Sequence, residues 1–443
     1  MTRLLVIAAE FPPAGGGGVT RVAKLVKYLA RADWEITVIC ADEAAPAISD
    51  EQLLKAIPPT VTIRRIKGPF RFVGSAGPRV SAIGGAGGLR SLLVRTIKTA
   101  VRWFAVPDRW VGWAWRVGRL SPEEAGNPEV ILVSGPPHSA YLAASRLSRR
   151  LGVPYMIDLR DTWYSNPAYR TGAPWQAWFD RRLEARAVRG ASALVVVAPT
   201  SVAEYQRRYP KANVVLIPNG FDAEDFDHAL PIRRTSDDIE FLHAGSLYAR
   251  HGNEFFRAFA EAAMTWQGPG RLVFRQLGPI LPQIAAAARE LVPAANVRIE
   301  PGIEHAAAIR QMRAAGVLVV LLSQVDAGMH TMTGKVFEYL AAKRPILVAG
   351  PPSAAGELIE EAHAGISASL SDERGLRDSI TRIATLSLDP EFSGPARGVL
   401  SRYDRAQQSA VWGDLLKALL RRGVEHDVSV PQLDGDDPPG EIV

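Results

Sequence analysis

At 443 residues and 47% hydrophobic content, the chain is long enough for two domains of about 200 residues, each able to bury its own core. A single cysteine, Cys40, excludes an internal disulfide framework, and eight histidines without metal-ligand spacing imply no structural zinc site, so a reducing cytoplasm is the expected compartment. The net charge of +6 is unevenly placed: residues 60–120 hold twelve basic residues and one acid, Asp108, so that segment is +11 and the remainder −5.

In chain order, the first apolar run, RLLVIAA at residues 3–9, reads as a strand. It meets Glu10 and two prolines too soon to serve as a signal peptide or a membrane span. Gly15 to Gly18 then open a helix expected over about Val19 to Ala30. Four consecutive glycines let a backbone approach a ligand and turn N–H groups toward an anion. A dinucleotide fingerprint competes, with Asp42 at a fitting distance, but its third glycine falls on Thr20, and Phe11, Pro12 and Pro13 lengthen the turn. A plain flexible turn is the other alternative. WEITVIC, TVTIRRI, EVILVS, VPYMID, SALVVV and NVVLI follow as strands, with Cys40 a small buried hydrophobe in the first of them. Continuous Val/Ile/Leu runs separated by amphipathic segments imply a parallel sheet covered on both faces.

The basic segment, interrupted by GGAGG at residues 84–88, interleaves its charges with Phe70, Phe72, Trp103, Phe104, Trp110, Trp113 and Trp115. That pattern suits an anionic bilayer surface or a lipid-linked substrate, with Trp103, Trp110 and Trp113 at headgroup level. A solvated basic face with core tryptophans is the bland alternative. Nucleic acid is the competing polyanion, and no nucleic-acid-binding motif accompanies the charge.

Two later loops leave strands in the same direction: VSGPPHS carries His138, and MIDLRDTW carries Asp158, Arg160 and Asp161. These side chains can hold sugar hydroxyls or an acceptor. The strand pattern stops at PNGFD, residues 218–222, which sets the domain division expected here: 1–221, then 222–400, a C-terminal helix over 401–422, and an acidic, Pro/Gly-rich disordered tail over 423–443. The second half restarts with EFLHAG, RLVFRQ, NVRIE, GVLVVLL, PILVAG and GISAS. The fold class is therefore α/β, two doubly wound domains facing a cleft, with ligands at the carboxyl ends of the strands.

In the second domain Arg250 and His251 lie on a loop after the first strand, where a guanidinium can neutralise a pyrophosphate. Thr331, Thr333, Gly334 and Lys335 precede the helical run VFEYLAAK, so free N–H groups at Thr333 and Gly334 plus one ammonium form an anion cradle. Glu338, one turn on, can accept hydrogen bonds from neighbouring ribose hydroxyls. The bland reading is a capped helix with Lys335 and Glu338 as a solvated pair. Gly328 to Val336 only superficially resembles an ATPase phosphate loop, with one residue too many between the glycines and no magnesium-binding hydroxyl at Val336.

The ordered set FPPxxGGG, DxRDxW, IPNGFD, HAGSLY and GKVFEYLAAKRPIL resembles glycosyltransferase family 4, over roughly Thr2 to Arg422. The resemblance implies the two-domain GT-B fold and a nucleoside-diphosphate sugar donor held mainly by the C-terminal domain. It also implies transfer with retention and without a metal ion or other cofactor, and a C-terminal helix packing back on the N-terminal domain. By it, Glu338 matches the second glutamate of the E-x7-E motif, Arg250 or His251 stands near the phosphate-binding lysine, and Gly17 and Gly18 close over the donor. The first motif glutamate falls on His330, and an arginine common after the loop glycine falls on Ser246.

The expected partners are a nucleotide sugar, a glycan or polyprenyl-linked acceptor and an anionic membrane surface, at the inner face of the cell membrane. Catalytic candidates are His138, Asp161, Arg250 and Lys335; donor-binding candidates are Gly17, Gly18, Arg250, His251, His330, Thr333, Gly334, Lys335 and Glu338. Two alternatives remain open: a sugar-nucleotide 2-epimerase using Asp158 and Asp161 for proton transfer, and an inactive nucleotide-sugar-binding scaffold.

Overall fold

The computed structural model describes residues 1–42, 49–68, 106–166, 174–227, 237–247, 253–322 and 334–422. The chain forms two compact units, Met1–Ile217 with Ser409–Val443, and Pro218–Gln408.

Unit 1 holds strands β1 (Thr2–Ala8), β2 (Trp34–Ala41), β3 (Thr62–Ile66), β4 (Val130–Gly135), β5 (Tyr155–Leu159), β6 (Ala193–Val196) and β7 (Val214–Leu216). Its helices are α1 (Gly17–Arg31), α2 (Glu51–Lys55), α3 (Val111–Val117), α4 (Ser139–Leu151), α5 (Pro174–Gly190) and α6 (Pro199–Arg208). The sheet is parallel in the order β3-β2-β1-β4-β5-β6-β7, with Leu4 of β1 opposite both Ile36 of β2 and Val130 of β4. Strand alternation sends Leu5 and Ile7 into one core, under α3, α4 and α5, and Leu4, Val6 and Ala8 into the other, under α1. The last helix, Arg405–Arg422, joins this second core through Trp412, Leu415, Leu416 and Leu419.

Unit 2 holds β8 (Ile239–Ala244), β9 (Leu272–Leu277), β10 (Val297–Glu300), β11 (Val317–Leu321), β12 (Ile346–Ala349) and β13 (Gly365–Ala368), parallel in the order β10-β9-β8-β11-β12-β13. Its helices are α7 (Ala223–Asp227), α8 (Glu254–Thr265), α9 (Pro282–Leu291), α10 (His305–Ala314), α11 (Gly334–Ala342), α12 (Ala354–Glu361), α13 (Glu373–Leu386) and α14 (Arg397–Ser401), and the last helix of the chain is α15 (Arg405–Arg422). Phe255, Phe256 and Phe259 of α8 interlock with Phe241 and Phe274 on one face of the sheet. On the other face, Val336, Phe337 and Leu340 of α11 pack beneath the strands.

All thirteen strands read from the sequence are present, and α1 starts two residues earlier than expected, at Gly17. Within the basic segment, residues 69–105, and with them Trp103, lie outside the described residues. Trp113, expected at a headgroup surface, is instead buried in the core, and Trp110 is half-buried with its ring edge-on to Trp113 at 6.2 Å. Arg64 and Arg116 donate to backbone carbonyls of Glu123, Glu124 and Lys67. Among the described helices none is long and apolar enough to cross a membrane.

Candidate functional site

In a parallel sheet every strand delivers its following loop to the same edge, so each unit has one carboxyl edge where polar groups gather. In unit 1 that edge carries the loops after β1, β4 and β5. Gly16 caps α1 with a φ of 113°, a conformation glycine adopts without strain, and Gly16 and Gly17 are exposed. The guanidinium of Arg160 lies against the Cα of Gly18, where a methyl group would collide with it. Arg160 is fixed there by donating from Nε to the Gly135 carbonyl at 3.0 Å and from Nη2 to Pro136 at 2.7 Å. An open helix N-terminus beside a fixed guanidinium has the charge and the N–H donors to receive an anion.

His138 ends the loop after β4 as the residue before α4. Its ring stacks on Trp163 with centroids 4.7 Å apart and 3° between the planes. Burial pushes its pKa down to about 3, so the imidazole is neutral across the physiological range. Asp161 is exposed on the same edge. Two carboxyl groups support this corner. Asp108 accepts from the backbone N–H of Ser139 at 2.9 Å and from its hydroxyl at 2.7 Å. Asp180 accepts from the indole N–H of Trp163 at 3.4 Å. The Asp180 carboxyl is pushed up to about 6, first by burial and then by the charges of Asp108 and Glu184, against that hydrogen bond.

Asp158 has a different occupation. Its oxygens accept from Arg21 Nε at 3.1 and 3.2 Å, from Arg21 Nη2 at 3.0 Å and from the Ser134 hydroxyl at 2.7 Å, and Arg21 also donates to the Ile217 carbonyl. Both members of the pair are buried. The carboxylate thus ties α1 to β5, an arrangement at odds with the proton-transfer part considered for it.

In unit 2 the edge is built around Gly245, which follows β8 with a φ of 138°. The Lys335 ammonium reaches from the start of α11 to lie against the Gly245 Cα, a place no side chain could share. Gln276 holds this turn by donating to the carbonyls of Gly245 at 2.6 Å and Gly278 at 3.2 Å, while its amide oxygen meets His243 Nδ1 at 2.8 Å. The Tyr339 hydroxyl accepts from the Ala244 N–H at 2.9 Å and so locks α11 to β8. Burial pushes Lys335 down to about 8, opposed by the charge of Glu338. Lys335 is therefore not the solvated surface cation of the bland reading.

Glu338, one turn further, is hydrogen-bonded by His305 Nε2 at 3.0 Å, and His305 Nδ1 stands 4.0 Å from Asp225. Burial alone would raise the Glu338 carboxyl. The His305 hydrogen bond and charge, with Arg405 and Lys335, outweigh it and hold the group below the ordinary glutamate range. The edge thus offers an ammonium at a helix start and an ionised, oriented carboxylate beside it. Arg250, His251, His330 and Thr333 lie outside the described residues; Gly334 is the first residue of α11.

His305 was not singled out in the sequence, because its partner lies 33 residues away on another helix. The contact of Arg160 with Gly18 was equally invisible, since only the fold brings the loop after β5 to the start of α1.

Residues 16–220 match the family model described as a glycosyl transferase 4-like domain. A search of curated protein sequences gives no match. Among solved structures, sucrose-phosphate synthase from Thermosynechococcus elongatus is 17% identical with a TM-score of 0.64, covering 95% of this chain and 100% of that one. HepE from Anabaena in complex with UDP is 13% identical with a TM-score of 0.62, covering 94% and 100%. WaaG, described as a glycosyltransferase involved in lipopolysaccharide biosynthesis, is 14% identical with a TM-score of 0.53, covering 95% and 98%. At such identities the likeness to these structures is one of fold, the GT-B fold.

Proposed function

We propose that this glycosyltransferase, whose residues 16–220 form a glycosyl transferase 4-like domain, takes a nucleoside-diphosphate sugar as donor and transfers the sugar, with retention, to a lipid-linked glycan or other hydroxyl acceptor of the cell envelope. The observation that carries this reading is the convergence of Lys335, Gly245 and Glu338 at one sheet edge. An ammonium at a helix start suits the diphosphate, and a carboxylate one turn on suits the ribose hydroxyls. The UDP and UDP-glucose held by HepE, and the lipopolysaccharide pathway named for WaaG, support the donor and acceptor classes.

In this reading the bond from the sugar to the diphosphate breaks as the bond to the acceptor oxygen forms, and a diphosphate oxygen takes the acceptor's proton. Lys335, Arg250 and the N–H groups of Thr333 and Gly334 stabilise the departing charge, with Arg250 and His251 on the phosphates and His330 at the donor sugar. Gly17 and Gly18, beside Arg160, supply further anion-binding N–H groups. His138 and Asp161 hold acceptor hydroxyls. No step is assigned to a metal ion, and the enzyme works at the cytoplasmic membrane surface.

Thermal-shift measurement against UDP, GDP, ADP and dTDP and their sugars tests the donor site, since a ligand at 100 times its Kd stabilises by ~2.7 kcal/mol. The expected result is stabilisation by one nucleotide, followed by transfer of radiolabelled sugar only when membrane lipid extract is present. Sugar conversion without lipid would establish the epimerase instead. Nucleotide binding without turnover would establish the scaffold.

A further inference from the structure

Helices α3, α4 and α5 form a contiguous layer over one core of unit 1, α3 packing on α4 and α4 on α5. Among the described residues of these helices, every exposed side chain is an aromatic or an arginine: Trp115 and Arg116 on α3, Arg149 and Arg150 on α4, and Trp175, Trp178, Phe179, Arg181, Arg182, Arg186 and Arg189 on α5. On α5 the aromatics are 37%, 50% and 45% exposed in chain order.

The two acids of α5 point the other way. Glu184 is fully buried, accepting from Tyr164 N–H at 2.8 Å and from the hydroxyls of Tyr205 at 3.1 Å and Tyr209 at 2.8 Å. Asp180 accepts from Trp163. Folding thus sorts the charges of one helix by sign, with Glu184 buried, Asp180 half-buried against Trp163, and the cations at the surface.

We propose that this layer, centred on α5, is a docking face for an anionic lipid leaflet. The proposal rests on the lipid-linked acceptor read above and assigns the surface that meets the bilayer. Each arginine near such a leaflet adds to attraction, and indole rings favour the headgroup region. Trp175, Trp178 and Phe179 stand in the first turns of α5, the helix that follows β5, and Asp180, next along, is hydrogen-bonded to Trp163, whose ring stacks on His138, while the arginines continue toward the other end of the helix.

Single-stranded nucleic acid would also meet cations and aromatics, but it needs open ring faces for stacking. Here Arg182 covers one face of Trp178 at 3.9 Å, and Phe179 packs edge-on to Trp178 at 4.8 Å and to Trp175 at 6.2 Å. A face of one charge sign is also poorly suited to a second copy of itself.

The test is co-sedimentation of the full chain with phosphatidylglycerol/phosphatidylcholine vesicles and with phosphatidylcholine alone, at low and high salt. Two variants accompany the wild type, Trp178→Ala/Phe179→Ala and Arg181→Gln/Arg182→Gln/Arg186→Gln. Wild type should bind the anionic vesicles, less at high salt; the arginine variant should bind at least about tenfold less, as three lost cations near an anionic leaflet imply, and the aromatic variant should bind less on both vesicle types, as loss of rings that favour the headgroup region implies. Circular dichroism and the nucleotide-induced thermal shift should stay at wild-type values, so that loss of docking is read separately from loss of the donor site. Equal sedimentation of the folded variants, no binding of wild type to anionic vesicles, tighter binding to single-stranded RNA than to vesicles, or a wild-type dimer dissolved by these substitutions would overturn the proposal.

Discussion

Nε2 of His305 lies 3.0 Å from the Glu338 carboxylate, the residue proposed to hold the donor ribose, while its Nδ1 faces Asp225 at 4.0 Å. An imidazole held between two carboxylates fixes the rotamer of the one that meets ligand. His305→Ala removes that hydrogen bond, a charge-assisted contact worth ~1.5–3 kcal/mol. The expected result is a donor KM raised about tenfold or more with kcat nearly unchanged, and partial recovery in His305→Gln. A fall in kcat at constant KM would place His305 in another role.

Lys335 should confer opposite pH trends on binding and stability. Its pKa of about 8 means that the ammonium needed for a diphosphate is present below that pH and lost as pH rises through it. Nucleotide affinity should therefore decline above pH 8. The folded value lies below the unfolded one, so between about pH 8 and the ordinary lysine range the unfolded chain binds more protons and the unliganded fold gains stability with pH. Calorimetric titration and thermal melts of wild type and Lys335→Met across this range separate the two, because the variant should lack both trends. Lys335→Ala should also slow turnover by about a hundredfold or more, as loss of one donor to a developing anion costs ~3 kcal/mol.

Gly18→Ala places a methyl group where the Arg160 guanidinium now rests. The arginine must then leave the Gly135 and Pro136 carbonyls that orient it. Alanine is accommodated within a helix, so the fold should persist. The expected outcome is a drop in kcat/KM of at least about tenfold, the equivalent of 1.4 kcal/mol, with an unchanged melting profile. Arg160→Ala combined with Gly18→Ala should cost little more than either alone, which a double-mutant cycle in kcat/KM would read.

Asp158→Asn and Arg21→Met probe the buried pair that ties α1 to β5. Removing one partner from a buried ion pair costs ~3–5 kcal/mol, because the other charge is left without compensation. Urea unfolding should report losses of that size for each single change and much less than their sum for the double change. A stable Asp158→Asn protein without activity would point instead to a chemical part for the carboxylate.

The strands and the parallel character of the sheets were legible because the central strands, such as β1, β4, β6, β11 and β12, are apolar runs buried on both faces, and the more polar, more exposed strands β3 and β10 were legible from their place in the alternation. Lys335 and Glu338 were legible because they share one helix with the loop before it. What escaped were contacts between elements distant in the sequence: Arg160 on Gly18, His305 on Glu338, Trp163 on His138. The tryptophans of the basic segment misled for a related reason. Composition gives the number of indoles near arginines, but helix phase decides which face water, and α3 turns Trp113 inward and Trp115 outward. The acids of α5 show the same effect, since a sequence window cannot tell that Glu184 serves two tyrosines in the interior.

The return of α15 to the core of unit 1 has a consequence for synthesis on the ribosome. Leu4, Val6 and the apolar face of α1 emerge first, yet Trp412, Leu415, Leu416 and Leu419, which pack in the same cluster, emerge after the whole of unit 2. Until translation passes Leu419, the nascent first unit keeps an apolar strip open to water. Unit 2, whose strands and helices are contiguous from Pro218 to Gln408, can finish first. The half of the protein made earliest is thus completed last, and premature termination before α15 leaves a sticky amino-terminal half for chaperones and proteases to handle.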